Sequence, residues 1–87
     1  MATTEERVLA ILREQLDRVF PIETGSNFIR DLNMDEIEAP EIIFALEESF
    51  NISTGSDGKH PGDLFFRVAR TVGALIEYVD RVVAEQS

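Results

Sequence analysis

The residues best able to do chemistry lie within residues 31–50, a stretch with seven acidic side chains and no basic one. Four of these carboxylates are close enough in sequence to gather a hard cation such as Ca²⁺, which oxygen ligands suit. They are Asp31, Asp35, Glu36 and Glu38. Their spacing does not follow an EF-hand loop, and Asp35 and Glu38 have the spacing of a helix capping box. We therefore predict helix capping here and no dedicated metal site.

Other catalytic chemistry has little support in the sequence. His60 is the only histidine, and it lies beside Lys59 in a turn-rich segment without a partner nucleophile or an indicated cleft. A solvent-exposed histidine is the better interpretation. The chain has no cysteine, no glycine-rich phosphate loop and no nucleophile motif. We therefore predict that the protein is not an enzyme.

The net charge of −9 is concentrated in one third of the chain. Residues 31–58 carry eight acids and no base, whereas residues 1–30 have a net charge of −1 and residues 59–87 a net charge of zero. A field of this sign repels phosphate backbones and anionic lipid, and it attracts basic protein surfaces. We therefore expect a protein partner with a basic surface, and neither nucleic acid nor a membrane.

The length of 87 residues predicts one small domain, residues 1–87. Its apolar fraction of 44% is typical of a folded chain. No apolar run approaches the ~20 residues that span a bilayer. The N-terminal "MATTEERVLA" has acids where a signal peptide would have bases. We expect a complete, cytoplasmic and monomeric protein.

Three stretches have the apolar spacing of amphipathic helices, namely residues 4–19, residues 35–50 and a last stretch that begins at Thr71. The first has Thr3 and Glu6 at capping-box spacing, and Pro21 cannot continue it. Residues 21–34 contain Pro, Gly, Ser and Asn and therefore predict a loop. We expect this loop to pack on the helices because it carries Ile22, Phe28, Ile29, Leu32 and Met34.

The remaining segment links the second and last helices. Residues 51–63 are rich in turn formers and are expected to be the most mobile part. Residues 64–69, "LFFRVA", predict a short turn of helix, with "LFF" filling the core rather than lining a pocket for an acyl chain. No stretch alternates well enough for a strand. The prediction is an all-α fold, a small bundle of three main helices and a short one.

The second predicted helix has two apolar faces when it is plotted at about 100° per residue. The core face comprises Ala39, Ile42, Ile43, Leu46 and Phe50. The opposite stripe comprises Ile37, Pro40 and Phe44, with Glu36, Glu41, Glu47 and Glu48 around it. An exposed apolar stripe ringed by carboxylates is typical of a docking surface. The alternative is that a fourth element covers the stripe and the glutamates only solvate the helix.

The run "FIRDLNMDEIEAPEIIFALEESFNI" resembles the recognition segment of acyl carrier proteins and peptidyl carrier proteins. In that family a run of the form F-x-x-D-L-G-x-D-S-L precedes a helix ending in A-L-E-E-x-F-x-I. Residues 70–79, "RTVGALIEYV", are similar to the last helix of the family, T-V-x-x-h-I-x-Y-h, where h is apolar. The residues that fit the first motif are Phe28, Asp31, Leu32, Asp35, Glu41, Ala45, Leu46, Glu47, Glu48, Phe50 and Ile52. The resemblance implies a right-handed four-helix bundle whose second helix meets partner enzymes.

One residue of the family's attachment site is missing. In carrier proteins the serine after the aspartate carries 4′-phosphopantetheine, the cofactor whose thiol holds the acyl cargo. Here Glu36 follows Asp35, and a carboxylate cannot replace the hydroxyl nucleophile of that transfer. Neither Ser26, in the loop, nor Ser49, near the helix end, restores the motif. The resemblance therefore implies a carrier-like domain without its cofactor.

Further departures concern the residues around Glu36. Asn33 replaces the family's glycine, although asparagine also tolerates the left-handed backbone. Pro40 predicts either a kinked first turn or a regular helix that begins nearer Pro40. The segment between Ile52 and Arg70 is longer than the family's linker. Two explanations of Glu36 stay open. One is drift after loss of the cofactor, since the helix dipole favours a glutamate in the first turn; the other is that its negative charge imitates the phosphodiester.

Three functional hypotheses follow. The leading one is a pseudo-carrier that binds enzymes of fatty-acid or polyketide-type metabolism non-covalently through the stripe and its glutamates. The second is a genuine acyl or peptidyl carrier of fatty-acid or secondary-metabolite synthesis, modified elsewhere or represented here by a variant. The third is a protein that binds a free acyl chain inside the bundle.

Overall fold

A computed structural model describes residues 3–16, 21–54, 65 and 68–86. Within them the chain forms three α-helices, α1 (Thr4–Leu16), α2 (Glu38–Phe50) and α3 (Val72–Gln86). These residues form no β-strand, and an isolated antiparallel bridge joins Asn27 and Thr71. The predicted all-α class is therefore confirmed. Residues 55–63 of the segment predicted to be the most mobile, and residues 64, 66 and 67 of the predicted short helix, lie outside the described residues.

The start of α1 agrees with its predicted capping box. The Glu6 N–H donates to Thr3 Oγ1 at 3.1 Å, and the Thr3 hydroxyl donates to Glu6 Oε1 at 3.3 Å. The helix buries Val8, Leu12 and Leu16, the apolar residues that recur at helical spacing. Its predicted end at Val19 lies outside the described residues.

The regular part of α2 begins at Glu38 and not at Asp35, where the sequence predicted its start. Ile37, just before it, makes no side-chain cap and already has helical angles of φ −79° and ψ −37°. Pro40 thus falls in the first turn, where a missing N–H costs no intrahelical hydrogen bond. Of the two predicted consequences of Pro40, the structure has the later helix start.

The loop over residues 21–34 packs on the helices, as predicted, and also caps α3. The Val72 N–H donates to the Ser26 carbonyl at 3.0 Å, and the Gly73 N–H donates to the Thr24 carbonyl at 2.8 Å. A Cβ at Gly73 would lie 3.1 Å from that Thr24 oxygen, so glycine permits the close approach. The Thr71 hydroxyl accepts the Ala74 N–H at 3.2 Å, as expected of the predicted cap.

The loop contributes four side chains to the core, namely Ile22, Phe28, Leu32 and Met34. Ile29 is the exception, because 37% of its surface is exposed. The Phe28 ring meets the Phe65 ring edge to face, with centroids 4.9 Å apart. Phe65 is therefore core, as the sequence predicted, whereas Leu64 and Phe66 lie outside the described residues. Asn33 adopts the left-handed backbone, with φ of 51°.

Candidate docking surface

The predicted second apolar face of α2 is exposed. Ile37 has 73% of its surface accessible and Phe44 has 62%, and Pro40 between them is also exposed. The opposite face is buried at Ala39, Ile42, Ile43 and Leu46, while Phe50 is partly buried. No described element covers Ile37 or Phe44, so exposure is favoured over burial by a fourth element. We call Ile37, Pro40 and Phe44 the α2 strip.

Three of the four predicted rim glutamates surround the α2 strip as exposed charges. Glu36, Glu41 and Glu48 are all exposed. Across the described part of the chain, none of them forms an ion pair or a side-chain hydrogen bond. Their charges are therefore not neutralised by these residues, and their field reaches the solvent beside the strip.

Glu47 differs from the predicted rim because its carboxylate turns toward the chain that follows α2. Glu47 Oε2 accepts the Thr54 N–H at 2.8 Å and the Thr54 hydroxyl at 3.1 Å. Thr54 is buried, and Glu47 is half-buried. Burial of a polar threonine requires such partners. Glu47 therefore holds Thr54 at the end of α2. The prediction that it belongs to the exposed rim with Glu36, Glu41 and Glu48 is not met.

Arg7 links α1 to the carboxyl end of α2, a contact that sequence analysis missed. Its guanidinium carbon lies 4.0 Å from the centroid of the Phe50 ring. Arg7 Nη2 also donates to Ser49 Oγ at 3.1 Å and to the Ser49 carbonyl. A cation at this position suits the negative end of the α2 dipole. Ser49 is therefore engaged, as is Ser26, whose Oγ accepts the Glu23 N–H at 3.1 Å.

A groove of about 440 Å³ lies beside the α2 strip, where α1 faces α2. The described residues that line it are Gln15, Pro40, Glu41, Phe44, Ala45 and Glu48. Pro40 and Phe44 belong to both the groove and the strip. Gln15 could not be predicted from the sequence, because the packing of α1 on α2 determines which α1 residue faces the groove. In the sequence, the one indication of a groove was Ala45, because its side chain is small and lies between Glu41 and Glu48 on the helix.

Three acidic residues at or before the start of α2, Asp31, Asp35 and Glu38, accept backbone hydrogen bonds. Asp35 Oδ1 accepts the N–H groups of Ile37 at 3.0 Å and Glu38 at 2.8 Å, and Glu38 Oε1 accepts the Asp35 N–H at 3.1 Å. Asp31 Oδ2 accepts the Asn27 N–H at 2.8 Å. The predicted capping box is confirmed. In the described ranges, no three histidines or acids are arranged to hold a metal ion.

Replacing Asp35 with alanine is expected to lower the free energy of unfolding by about 1 kcal/mol, within a range of roughly 0.5–2. The change removes the acceptor for the first N–H groups of α2. Glu36→Ala is the matched control, since the Glu36 carboxylate accepts no hydrogen bond from the N–H groups at the start of α2. It should change the free energy of unfolding by less than about 0.5 kcal/mol. Urea denaturation followed by circular dichroism measures both. Equal losses would contradict the capping role of Asp35.

The exposed apolar strip and the carboxylates beside it have the features of a binding face. His60, the only histidine, lies outside the described residues. No helix among the described residues is long and apolar enough to cross a membrane. No protein-family model matches this sequence. The α2 strip, its three glutamates and the adjoining groove are therefore the features from which a function can be argued.

Proposed function

We propose that this protein is an acyl-carrier-protein-like domain that docks non-covalently on enzymes of carrier-dependent metabolism, of the fatty-acid or polyketide type. In this proposal it is not an enzyme, and it carries no 4′-phosphopantetheine because Glu36 stands at the attachment position. The observation that supports it is the exposed α2 strip beside three exposed glutamates that form no ion pair within the described residues. The strip lies on the helix whose sequence resembles the family's recognition helix.

The chemistry of the surface favours a basic partner. Covering Ile37 and Phe44 removes apolar area from water, which supplies affinity. Glu36, Glu41 and Glu48 attract a basic surface during approach and set its orientation, a contribution that falls as salt is added. A second copy of this chain would bring like charges together at the rim. The proposal therefore includes a monomeric protein, which we place in the cytoplasm.

A carrier-like surface without a cargo arm restricts what docking can achieve. The domain delivers no acyl group through a thiol, so its effect must arise from occupying the partner's surface. It positions the enzyme, competes with a loaded carrier for it, or changes its activity. Each of these effects requires reversible binding and depends on the α2 strip.

The test is binding to a panel of purified enzymes that act on carrier proteins, such as a ketosynthase, an acyltransferase and a thioesterase. The double variant Ile37→Asp/Phe44→Asp should weaken binding by about 2 kcal/mol or more, which is roughly 30-fold in Kd. Biolayer interferometry with each enzyme immobilised measures the loss. Ala10→Asp, at an exposed position of α1, is the control for adding a carboxylate and should bind like the wild type.

Two results would contradict the proposal. The first is binding to an enzyme of the panel that the double variant leaves unchanged, because the contact would then lie elsewhere. The second is an equal loss with Ala10→Asp, because added charge alone would explain it. Circular dichroism of both variants establishes that the helices are retained, which is expected since Ile37 and Phe44 are exposed in the folded state.

A further inference from the structure

We propose that a pocket between the loop over residues 21–34 and the start of α3 binds the C-terminal residue of a peptide chain whose last side chain is apolar. The pocket has a volume of about 260 Å³. The described residues that line it are Asn27, Ile29, Phe65 and Arg70. This inference goes beyond the proposed docking function, because none of these residues belongs to the α2 strip or to its glutamates.

Hydrogen bonds fix the position of the residues around the pocket. The Phe28 N–H donates to the Arg70 carbonyl at 3.0 Å, which joins the loop to the segment before α3. Asn27 Oδ1 accepts the N–H groups of Ile29 at 3.0 Å and Arg30 at 2.9 Å, which holds the turn. The pocket is therefore formed before a ligand arrives, and binding does not have to order it.

Two lining residues can donate hydrogen bonds to a carboxylate. Arg70 is exposed, and its guanidinium has five N–H donors, so it can bind a carboxylate while it keeps another contact. The side-chain oxygen of Asn27 is turned toward the backbone of the turn. Its NH₂ group makes no hydrogen bond to the described residues. A guanidinium and an amide N–H together can hold the two oxygens of one carboxylate.

Other charged and polar groups of this region are already engaged. Asp31 Oδ2 accepts the Asn27 N–H at 2.8 Å, and Asp31 Oδ1 lies 3.7 Å from Arg30 Nε. The first two N–H groups of α3 donate to carbonyls of the loop, so the start of the helix does not bind the anion. The side chains of Arg70 and Asn27 are the groups suited to it.

The other two lining residues provide an apolar wall. Phe65 is buried, and its ring is held edge to face by the ring of Phe28. Ile29 is the apolar loop residue that stays partly exposed. A branched side chain that covers Ile29 removes apolar surface of both partners from water, which supplies affinity. Leucine, isoleucine and valine have such side chains.

The size of the pocket favours a single residue that carries both the carboxylate and the apolar group. Its volume lies below the range of about 300–1,000 Å³ that is typical of pockets for whole small ligands. At a peptide C-terminus the carboxylate and the side chain branch from the same carbon, and capture of this carboxylate is a known mode of peptide recognition. A free amino acid would bring its ammonium group near Arg70, which repels it. In a peptide the amide bond removes that charge.

Three acetylated peptides that differ only at the C-terminus test the inference. The first ends in leucine with a free carboxylate, the second has the same sequence with a C-terminal amide, and the third ends in serine with a free carboxylate. With ¹⁵N-labelled full-length protein, the first peptide should shift the amide signals of Asn27, Ile29 and Arg70. The second should bind at least about tenfold more weakly, since it lacks the charge. The third should bind about 3- to 30-fold more weakly, since it lacks the apolar side chain.

Two arginine variants locate the carboxylate. Arg70→Gln and Arg30→Gln each remove one positive charge from an exposed side chain, but of the two residues only Arg70 lines the pocket. Arg70→Gln should weaken the first peptide about 3- to 10-fold, and Arg30→Gln by less than about twofold. Both variants keep the backbone carbonyl of residue 70, which holds the loop.

Asn27→Asp tests the amide donor without removing the turn. The variant keeps an oxygen that can accept the N–H groups of Ile29 and Arg30, but it replaces the NH₂ donor with a negative charge. It should weaken the first peptide at least about tenfold. Circular dichroism checks that the helices are retained.

Four results would overturn the inference. They are equal affinity of the acid and amide peptides, equal losses in Arg70→Gln and Arg30→Gln, and no shift of the Asn27, Ile29 and Arg70 signals at millimolar peptide. The fourth is equally tight binding of 4-methylpentanoate, a free acid with the same branched end, because the peptide bond would then contribute nothing. Docking at the α2 strip is tested separately by Ile37→Asp/Phe44→Asp, so either proposal can fail while the other stands.

Discussion

Replacing Phe28 with alanine is expected to destabilise the domain by about 3–5 kcal/mol. Phe28 has 0% of its surface exposed, and its ring packs 4.9 Å from that of Phe65. The neighbouring backbone holds the loop in place, since the Phe28 N–H donates to the Arg70 carbonyl at 3.0 Å. The surroundings therefore cannot collapse freely into the space that the ring leaves. A domain of this size has about 4–13 kcal/mol in total, so the variant should lose a large part of its stability.

The matched control is the same substitution on α2. Phe44→Ala also removes a phenylalanine ring, but from a position that is 62% exposed. It should therefore change the free energy of unfolding by less than about 0.5 kcal/mol. Urea denaturation followed by circular dichroism at 222 nm measures both variants. If Phe44→Ala destabilised the protein as much as Phe28→Ala, the α2 strip would be part of the core and could not be a docking surface.

The parts of the fold that follow from local rules could be predicted. The capping boxes at Thr3 and Asp35 depend on residues three apart in sequence, and both have the hydrogen bonds expected of their caps. The exposure of Ile37 and Phe44 was also predictable, because a helix in a small bundle buries one face and α2 has two apolar ones. The left-handed Asn33 follows from its side chain, which tolerates φ above zero.

The contacts between distant residues could not be predicted. Glu47 lies on the edge of the α2 strip by its helical angle, yet its carboxylate binds Thr54 because the chain turns back after α2. Asn51, with φ of 54°, makes that turn. Arg7 reaches Ser49 across 42 positions. Ile29 has the composition of a core residue but lies partly exposed, because the turn from Asn27 sets its direction.

The candidate site was predictable in composition but not in shape. The strip and the glutamates could be predicted, since both lie on one helix with a known period. The groove depends on where Gln15 of α1 lies relative to Ala45 of α2, a relation that the periodicity of either helix leaves open. The groove can therefore be described only once the two helices are placed together.

Under the proposed function, replacing Glu36 with serine is expected to give a protein that accepts 4′-phosphopantetheine, whereas the wild type should not accept it. Glu36 is exposed in the turn between Asp35 and α2, so a hydroxyl at this position would be accessible as the nucleophile. If the resemblance to carrier proteins extends to recognition by the transferase, coenzyme A and a broad-specificity phosphopantetheinyl transferase should add one phosphopantetheine group. Intact-mass spectrometry should detect this gain in Glu36→Ser and no gain in the wild type.

A true carrier protein modified in the same reaction is the positive control, and Glu36→Ala is the negative one. A mass gain by the wild type would show that another hydroxyl is used, which would favour the genuine carrier and contradict our proposal. If Glu36→Ser gained no mass while the control carrier was modified, the transferase would not recognise this protein as it recognises a carrier protein. The docking proposal would then rest on the surface alone.

The central claim is that partners dock on the α2 strip without a covalent arm, and mapping the contact by NMR tests it most directly. The enzyme that binds most tightly in the panel is added to ¹⁵N-labelled wild-type protein that carries no modification. We predict that the largest signal losses and shifts fall on Ile37, Glu41, Phe44 and Glu48. Changes confined to the exposed face of α3, or no binding by any enzyme of the panel, would contradict the claim.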